Sequence, residues 1–313
     1  MRNLARSTQW RSGAVAWSLL ASALLFAPTH SPPPETAAFH FRFNPPYGTS
    51  FREIEKRTLA RSLGSLPADV IVLESESRVS VRRTAAGSTF TYLLTSVRAT
   101  RRGRDEGFLV APLRGCRVSL DVDPRGKVVA MRNFDQITRA YRERLPPLVG
   151  LVAGFLIDEQ GMQEEVRREW DDRVADLVGV QAGVGRFWTL KQELPMPTGK
   201  LPVFSAAAIT DRTSCDGIDC VRLKWRTSTS PQALRPLVGD GVKEFGPAAE
   251  KKGVPPPAME LDVVGERLID PATLRQLRET VKRTTRVHMN VPFMGRTPIV
   301  SEDTKETCWV YPK

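Results

Sequence analysis

Few residues in this chain have the types and spacing that catalysis needs. The sequence contains only three histidines, so a Ser-His-Asp triad or a histidine–metal centre has few possible members. His288 lies in a strand-like setting, and no G-x-S-x-G, H-E-x-x-H or G-x-x-x-x-G-K-[ST] motif occurs. Adjacent residues on a helix point about 100° apart, so a solvated face explains Glu164-Glu165 and Asp171-Asp172 better than a catalytic carboxylate pair does. We predict a non-enzymatic protein without catalytic residues, metal site or cofactor.

The four cysteines are the other residues with chemistry of their own. Cys116, Cys215, Cys220 and Cys308 are an even number, as a disulfide framework requires. Cys215 and Cys220 close a short loop between two strand-like runs, so we predict a disulfide between them, which leaves Cys116 to pair with Cys308. A zinc site is the alternative, but the C-x4-C spacing has no second close pair and no nearby histidine.

The chain begins with the pattern of an exported protein. Three arginines precede an apolar run over residues 13–27, and a proline-rich stretch follows. We predict a signal peptide over residues 1–27, a proline-rich leader over 28–38 and a single domain over 39–313. The protein would then be exported, either to the periplasm or out of the cell. An uncleaved anchor is the alternative, although a bilayer span needs about 20 apolar residues. Residues 148–157 have only the length of a buried helix, so we expect no transmembrane segment after cleavage.

The composition is that of a basic globular protein. The formal net charge is +11 and 41% of the residues are hydrophobic, which excludes a disordered chain. Removal of residues 1–27 takes away three arginines and no acids, which leaves +8. The cations are spread along strands, so we expect an anionic envelope component as partner and no nucleic acid. Arg222, Lys224 and Arg226 alternate along one predicted strand, and we predict that they form a basic contact face.

Most of the chain after the leader alternates apolar and polar residues, as β-strands do. Residues 219–227 are the clearest case, with Val221, Leu223 and Trp225 on the face opposite the three basic residues. The turn sequence Asp123-Pro-Arg-Gly126 indicates a hairpin. Comparable patterns predict strands over residues 39–43, 71–82, 88–101, 116–123, 127–131, 186–194, 203–210, 259–268, 280–291 and 297–311.

Between Phe134 and Leu177 the apolar spacing changes to three and four residues, which predicts two helices. Pro146-Pro147 breaks or kinks the first helix, and Asp158 could cap the second. The order of strands, two helices and strands predicts an α+β fold with a mainly antiparallel sheet. Residues 230–257, interrupted by prolines, predict short helical turns and a loop.

Three segments in this order carry a resemblance to a known family. The hairpin RVSLDVDPRGKVVAMRNFDQI, the run GVGRFWTLKQELPMP and the strand DGIDCVRLKW resemble an uncharacterised family of secreted bacterial proteins and lipoproteins. The resemblance spans roughly residues 40–310. It implies a curved half-barrel similar to the LolA/LolB-type lipoprotein carriers, in which the sheet curls around the helices and can enclose an apolar ligand.

Under this resemblance, the apolar strand residues become candidates for a ligand-binding face. Ligand pockets are mostly apolar with a few polar groups, although the same residues could simply form the core. Two functions follow as predictions: a carrier or sensor of a hydrophobic or lipid ligand, or a structural or interaction module of the envelope with a filled core and a basic contact face. The candidates for the apolar face are Phe90, Tyr92, Leu94, Val118, Leu120, Trp188, Leu190, Val221, Leu223 and Trp225.

Overall fold

The computed structural model describes residues 38–145, 159–196, 199–215, 217–239, 259–291 and 295–312. The predicted signal peptide, nearly all of the leader and the apolar stretch 148–157 lie outside these residues. None of the helices within the described ranges has the length and hydrophobicity to cross a bilayer.

Strands make up most of the described chain. Before the two longer helices the strands are β1 (Phe39–His40), β2 (Ser50–Leu63), β3 (Asp69–Thr84), β4 (Gly87–Arg101), β5 (Arg104–Asp105), β6 (Arg117–Val122) and β7 (Val128–Arg132). After those helices they are β8 (Gln181–Ala182), β9 (Phe187–Met196), β10 (Gly199–Cys215), β11 (Ile218–Ser228), β12 (Met259–Asp270), β13 (Arg275–Val291) and β14 (Gly295–Val310).

The described residues also form four α-helices: α1 (Gly107–Val110), α2 (Asp135–Arg144), α3 (Glu159–Arg173) and α4 (Arg235–Val238). Helices α2 and α3 are the predicted mid-chain pair. Helix α4 and the turn before it pack on the outer face of β10, where Leu234 and Val238 cover Phe204 and Ala206.

Twelve strands form one antiparallel sheet, and β1 pairs separately with β8. The order across the sheet is β7-β6-β4-β3-β2-β14-β13-β12-β11-β10-β9, with β5 beside β4. Neighbours in the chain are therefore mostly neighbours in the sheet, as hairpin connections produce. The exception is the pairing of β2 with β14, two strands that are far apart in the chain but neighbours at the middle of the sheet.

The sheet curves around α3. Strands β4 and β12 are five places apart in the sheet order, a distance of about 24 Å in a flat sheet, whereas a helix is only about 10 to 12 Å wide. Yet α3 touches both strands. Trp170 meets the Phe90 ring of β4 edge-on with 4.7 Å between centroids, and Arg267 of β12 donates to the main-chain oxygen of Asp172 at 3.1 Å. The predicted α+β fold, with a curved antiparallel sheet and an inserted helix pair, is confirmed.

The main hydrophobic core lies between α3 and the inner face of the sheet. Val79, Leu120 and Val221, from three separate strands, are almost fully buried in it. The Trp170 indole donates to the main-chain oxygen of Gly126 at 2.7 Å, which ties α3 to the turn between β6 and β7. Gly126 has φ of 80°, so this turn uses a conformation that favours glycine.

The cysteine predictions need correction, because all four cysteines are free thiols in the structure. Cys116 precedes β6, and Cys308 lies on β14, four places away, so about 19 Å of sheet separates them and the predicted Cys116–Cys308 disulfide is wrong. Cys215 pairs in register with Ile218, which leaves Cys220 diagonally opposite. The Cys215 and Cys220 thiols lie close enough to hydrogen-bond, but both are free, so the predicted Cys215–Cys220 disulfide is not formed.

Candidate ligand-binding interior

A cavity of about 70 Å³ lies between the carboxyl end of α3 and strands β9 to β12. We call it the tryptophan cavity. Its walls are mainly apolar, with two carboxylates and one guanidinium at the margin. Its lining residues are Asp172, Asp176, Leu177, Val180, Trp188, Ala207, Leu223, Trp225 and Arg267.

Strand register explains why the two tryptophans face one another across this cavity. Ala207 on β10 pairs with Trp188 on one side and with Trp225 on the other, so a small side chain separates two large ones. Trp225 pairs in turn with Gly265, where a Cβ atom would lie 2.0 Å from Cζ2 of the indole. The tryptophan ring therefore occupies space that only a glycine leaves open.

The charged groups at the margin have unusual surroundings. Burial raises the pKa of Asp172 to about 7, against the opposing charge of Arg267. The Arg267 guanidinium lies over the Trp225 ring, 4.9 Å from its centroid. A cation above an indole face is attracted by the ring quadrupole. Arg267 thus holds Trp225 in place and lies beside Asp172.

A buried ion cluster lies behind Arg267. Its Nε donates to Glu279 Oε1 at 2.9 Å, and Arg173 donates to Glu279 Oε2 at 2.7 Å. The side chains of Arg267 and Glu279 are only 5% and 3% exposed. Burial alone would raise the pKa of Glu279, but the two arginines lower it well below its usual value. Lys305 extends the cluster by pairing with Glu169 of α3 at 3.0 Å.

A second cavity of about 60 Å³ lies on the other side of this cluster. We call it the aromatic cavity, since Phe90, Tyr92, Trp170, Trp309 and Tyr311 are among its lining residues. Its polar lining residues include Glu53, Arg173 and Gln276. The Trp309 indole donates to Glu53 at 2.7 Å, and burial raises the pKa of that carboxyl group.

The predicted apolar residues divide between these cavities and the core. Trp188, Leu223 and Trp225 line the tryptophan cavity, and Phe90 and Tyr92 line the aromatic cavity. The remaining candidates pack elsewhere. Val118, Leu120 and Val221 belong to the core, while Leu94 and Leu190 are partly buried and lie outside both linings.

The predicted basic contact face lies on the outer side of β11, and its charges are matched. Arg222 pairs with Asp211 and Glu266, and Lys224 also approaches Glu266, at 3.6 Å. Arg226 donates to Asp262 at 2.8 Å. Three cations thus face three carboxylates from β10 and β12. The alternation of β11 alone could not reveal the acids on the neighbouring strands.

Sequence reasoning did not find the charged residues of the interior. Asp172, Arg173, Arg267 and Glu279 each have charged or polar sequence neighbours, which usually indicates a solvated face. The predicted α3 stripe gives one hint of this site, because Glu169 and Arg173 lie three and seven positions after Val166 and so share its side of the helix.

No family model matches the chain, and no curated protein matches it. Among solved structures, a lipovitellin structure described by its lipid–protein interactions is similar over 86% of this chain, with 8% identity and a TM-score of 0.44. This chain spans about a quarter of the lipovitellin chain, 25% of its length. DynF from the dynemicin biosynthesis pathway of Micromonospora chersina is 8% identical over 93% of this chain and 92% of its own, with a TM-score of 0.18. OpdL of Pseudomonas aeruginosa is 7% identical over 85% of this chain and 99% of its own, with a TM-score of 0.20. None of these likenesses bears on the function of this chain.

Proposed function

We propose that this is a non-enzymatic exported protein that carries or senses a hydrophobic or lipid ligand inside its curved sheet. The tryptophan cavity is the observation that supports the proposal. It combines aromatic and aliphatic walls with a few charged groups at one margin, which is the usual chemistry of a ligand pocket. Leu223 and Trp225 would contact the apolar part of the ligand, and Asp172 and Arg267 would face its polar end.

The size of the cavity sets a condition on binding. Pockets for drug-sized ligands measure about 300 to 1,000 Å³, whereas this cavity measures about 70 Å³. In the described conformation it admits only the end of an apolar chain. Binding of a whole acyl chain therefore requires lining residues such as Leu177 and Val180 to move away from the sheet.

Native mass spectrometry of the protein purified from an exporting host tests the proposal. Solvent extraction of the same sample should release a lipid at near-stoichiometric amount. The variant A207L fills the space between the two tryptophans, so it should lose the bound mass while keeping its fold. As a matched control, L261A alters the separate core cluster that contains Val203 and Met259, and it should keep the ligand.

A ligand that survives in A207L would place the binding site elsewhere. A wild-type protein without any extractable ligand would favour the second candidate function, a structural or interaction module of the envelope. The small volumes of both interior cavities favour that candidate. Such a module would need a contact surface other than Arg222, Lys224 and Arg226, because these cations are already paired.

A further inference from the structure

A groove of about 750 Å³ crosses the outer face of the sheet, on the side opposite the core. The turn over residues 48–50 forms one wall, and Arg132 with Asn133 at the end of β7 forms the other. Its volume falls within the range of about 300 to 1,000 Å³ that ligand pockets occupy. We call it the outer groove.

Hydroxyl groups form the floor of the outer groove. The pairing of β2, β3, β4 and β6 places Ser50, Ser80, Thr91 and Ser119 side by side in one row. Thr91 and Ser119 are within hydrogen-bond distance of each other, at 3.1 Å. Each hydroxyl has one donor and two acceptor positions, so this row retains capacity to bind a partner.

Arginines lie on both sides of the hydroxyl row. Two residues further along each strand, Arg52, Arg78 and Arg117 share a row on the same face. On the other side, Arg82 on β3 is exposed within the groove. Successive rows on one face are about 7 Å apart, so these guanidinium groups border the hydroxyl floor closely.

Most of this positive charge has no counterion on the protein. Arg52 pairs with Glu76 at 3.4 Å, and Arg132 pairs with Asp121. Arg78, Arg82 and Arg117 form no ion pair with any residue that the structure describes, which leaves an excess of three positive charges. The outer groove thus differs from the β11 face, where every cation has a carboxylate partner.

We propose that the outer groove binds an acidic polysaccharide. Carboxylate groups of the polymer would pair with the exposed arginines, whose planar forks suit carboxylates, and sugar hydroxyls would bond with the serine and threonine floor. A membrane surface fits less well, because Leu93 is the one apolar side chain in the arginine row and is partly buried. Single-stranded nucleic acid also fits less well, because no aromatic side chain for base stacking lines the described part of the groove.

Calorimetric titration of the full chain with a galacturonate hexamer tests this proposal. Charge-assisted bonds are strong, so R78Q/R117Q should weaken binding on the order of tenfold. T91V removes one floor hydroxyl without changing shape and should weaken it about threefold. R222Q/K224Q is the matched control, since it removes the same charge from the paired face and should leave the affinity unchanged. Neutral maltohexaose should not bind.

Three results would overturn the proposal. Absence of binding by the galacturonate hexamer is the first. The second is an equal loss of affinity in R78Q/R117Q and R222Q/K224Q, which would show that net charge alone attracts the polymer. Tighter binding of an oligodeoxynucleotide of equal charge, or of vesicles containing an anionic phospholipid, would assign the groove to a different class of partner. Thermal unfolding of each variant checks that these substitutions leave the fold intact.

Discussion

Glu279 lies directly opposite Arg267 in the pairing of β12 with β13, and both side chains are almost completely buried. Arg267 donates to Oε1 of Glu279, and Arg173 at the end of α3 donates to Oε2 of the same carboxylate. Arg267 lines the tryptophan cavity, and Arg173 lines the aromatic cavity. A single carboxylate therefore fastens the helix to the sheet and forms part of the partition between the two cavities.

Removal of the Glu279 carboxylate should strongly destabilise the folded protein. E279Q removes the carboxylate that pairs with the buried Arg267 and leaves Arg173 paired with Glu169 at 3.8 Å, so we expect the free energy of unfolding to fall by about 3 to 5 kcal/mol. Urea denaturation measures the change. D135N provides the control, since it breaks the exposed pair of Asp135 with Arg139 and should cost no more than about 0.5 kcal/mol. A loss below about 1 kcal/mol in E279Q would show that water reaches the cluster.

Asp172 should make stability depend on pH. Burial raises its pKa from 3.8 to about 7, so between these values the folded chain holds a proton that the unfolded chain has released. Stability from this residue therefore decreases as the pH rises from about 4 to about 7. D172N removes the effect, and we expect it to stabilise the protein at pH 8 more than at pH 5, by up to about 3 kcal/mol.

Urea denaturation of D172N and the wild type at both pH values measures this difference. Comparison of the two proteins at each pH cancels the contribution of Glu279, whose lowered pKa acts in the opposite sense. An identical difference at pH 5 and pH 8 would contradict the prediction and would mean that Asp172 stays ionised throughout.

Gly265 should tolerate no side chain. In G265A the new methyl group would overlap the Trp225 ring, so we expect the ring to leave its site at a cost of about 1 to 3 kcal/mol. Tryptophan fluorescence should shift to longer wavelength as the indole becomes exposed. The neighbouring V264A is the control, because Val264 is 44% exposed and its loss should change stability by less than about 0.5 kcal/mol. Unchanged fluorescence in G265A would contradict the contact.

The cysteines should differ in reactivity. Cys308 is exposed, whereas Cys116 is buried and its thiol pKa is raised by burial. Timed alkylation of the folded protein with iodoacetamide, followed by peptide mass mapping, should therefore modify Cys308 long before Cys116. An intact mass that lacks two hydrogens before reduction would instead reveal a disulfide and would contradict the free thiols.

Local patterning predicted the strands that have one apolar and one polar face. Val221 and Leu223 alternate with charged residues along β11, and the structure buries them on the inner side. The hairpin around Asp123 was also predictable, because its turn residues have specific backbone requirements. In such segments the sequence period and the three-dimensional environment agree.

Strand β2 could not be predicted from alternation of apolar and polar residues. It carries charged residues on both faces, so its alternation does not predict a half-buried strand. Its inner side has Glu53, Glu55 and Arg57, whose partners Trp309, Lys305 and Asp303 all come from β14. Only the pairing of β2 with β14 explains why these charges are inside, and periodicity does not report which strands are neighbours. The ion cluster around Glu279 was not predicted for the same reason.

The central pairing of β2 with β14 also determines when the sheet can be completed. Glu53 and Trp309 are 256 positions apart, so all of the chain between them must be made before this ladder can form. Until then β2 has one unpaired edge and the two halves of the sheet remain separate. Contacts between such distant residues slow folding, and unpaired edges invite association with other chains. A newly made chain therefore keeps this unpaired edge open to aggregation until β14 has been made and has paired.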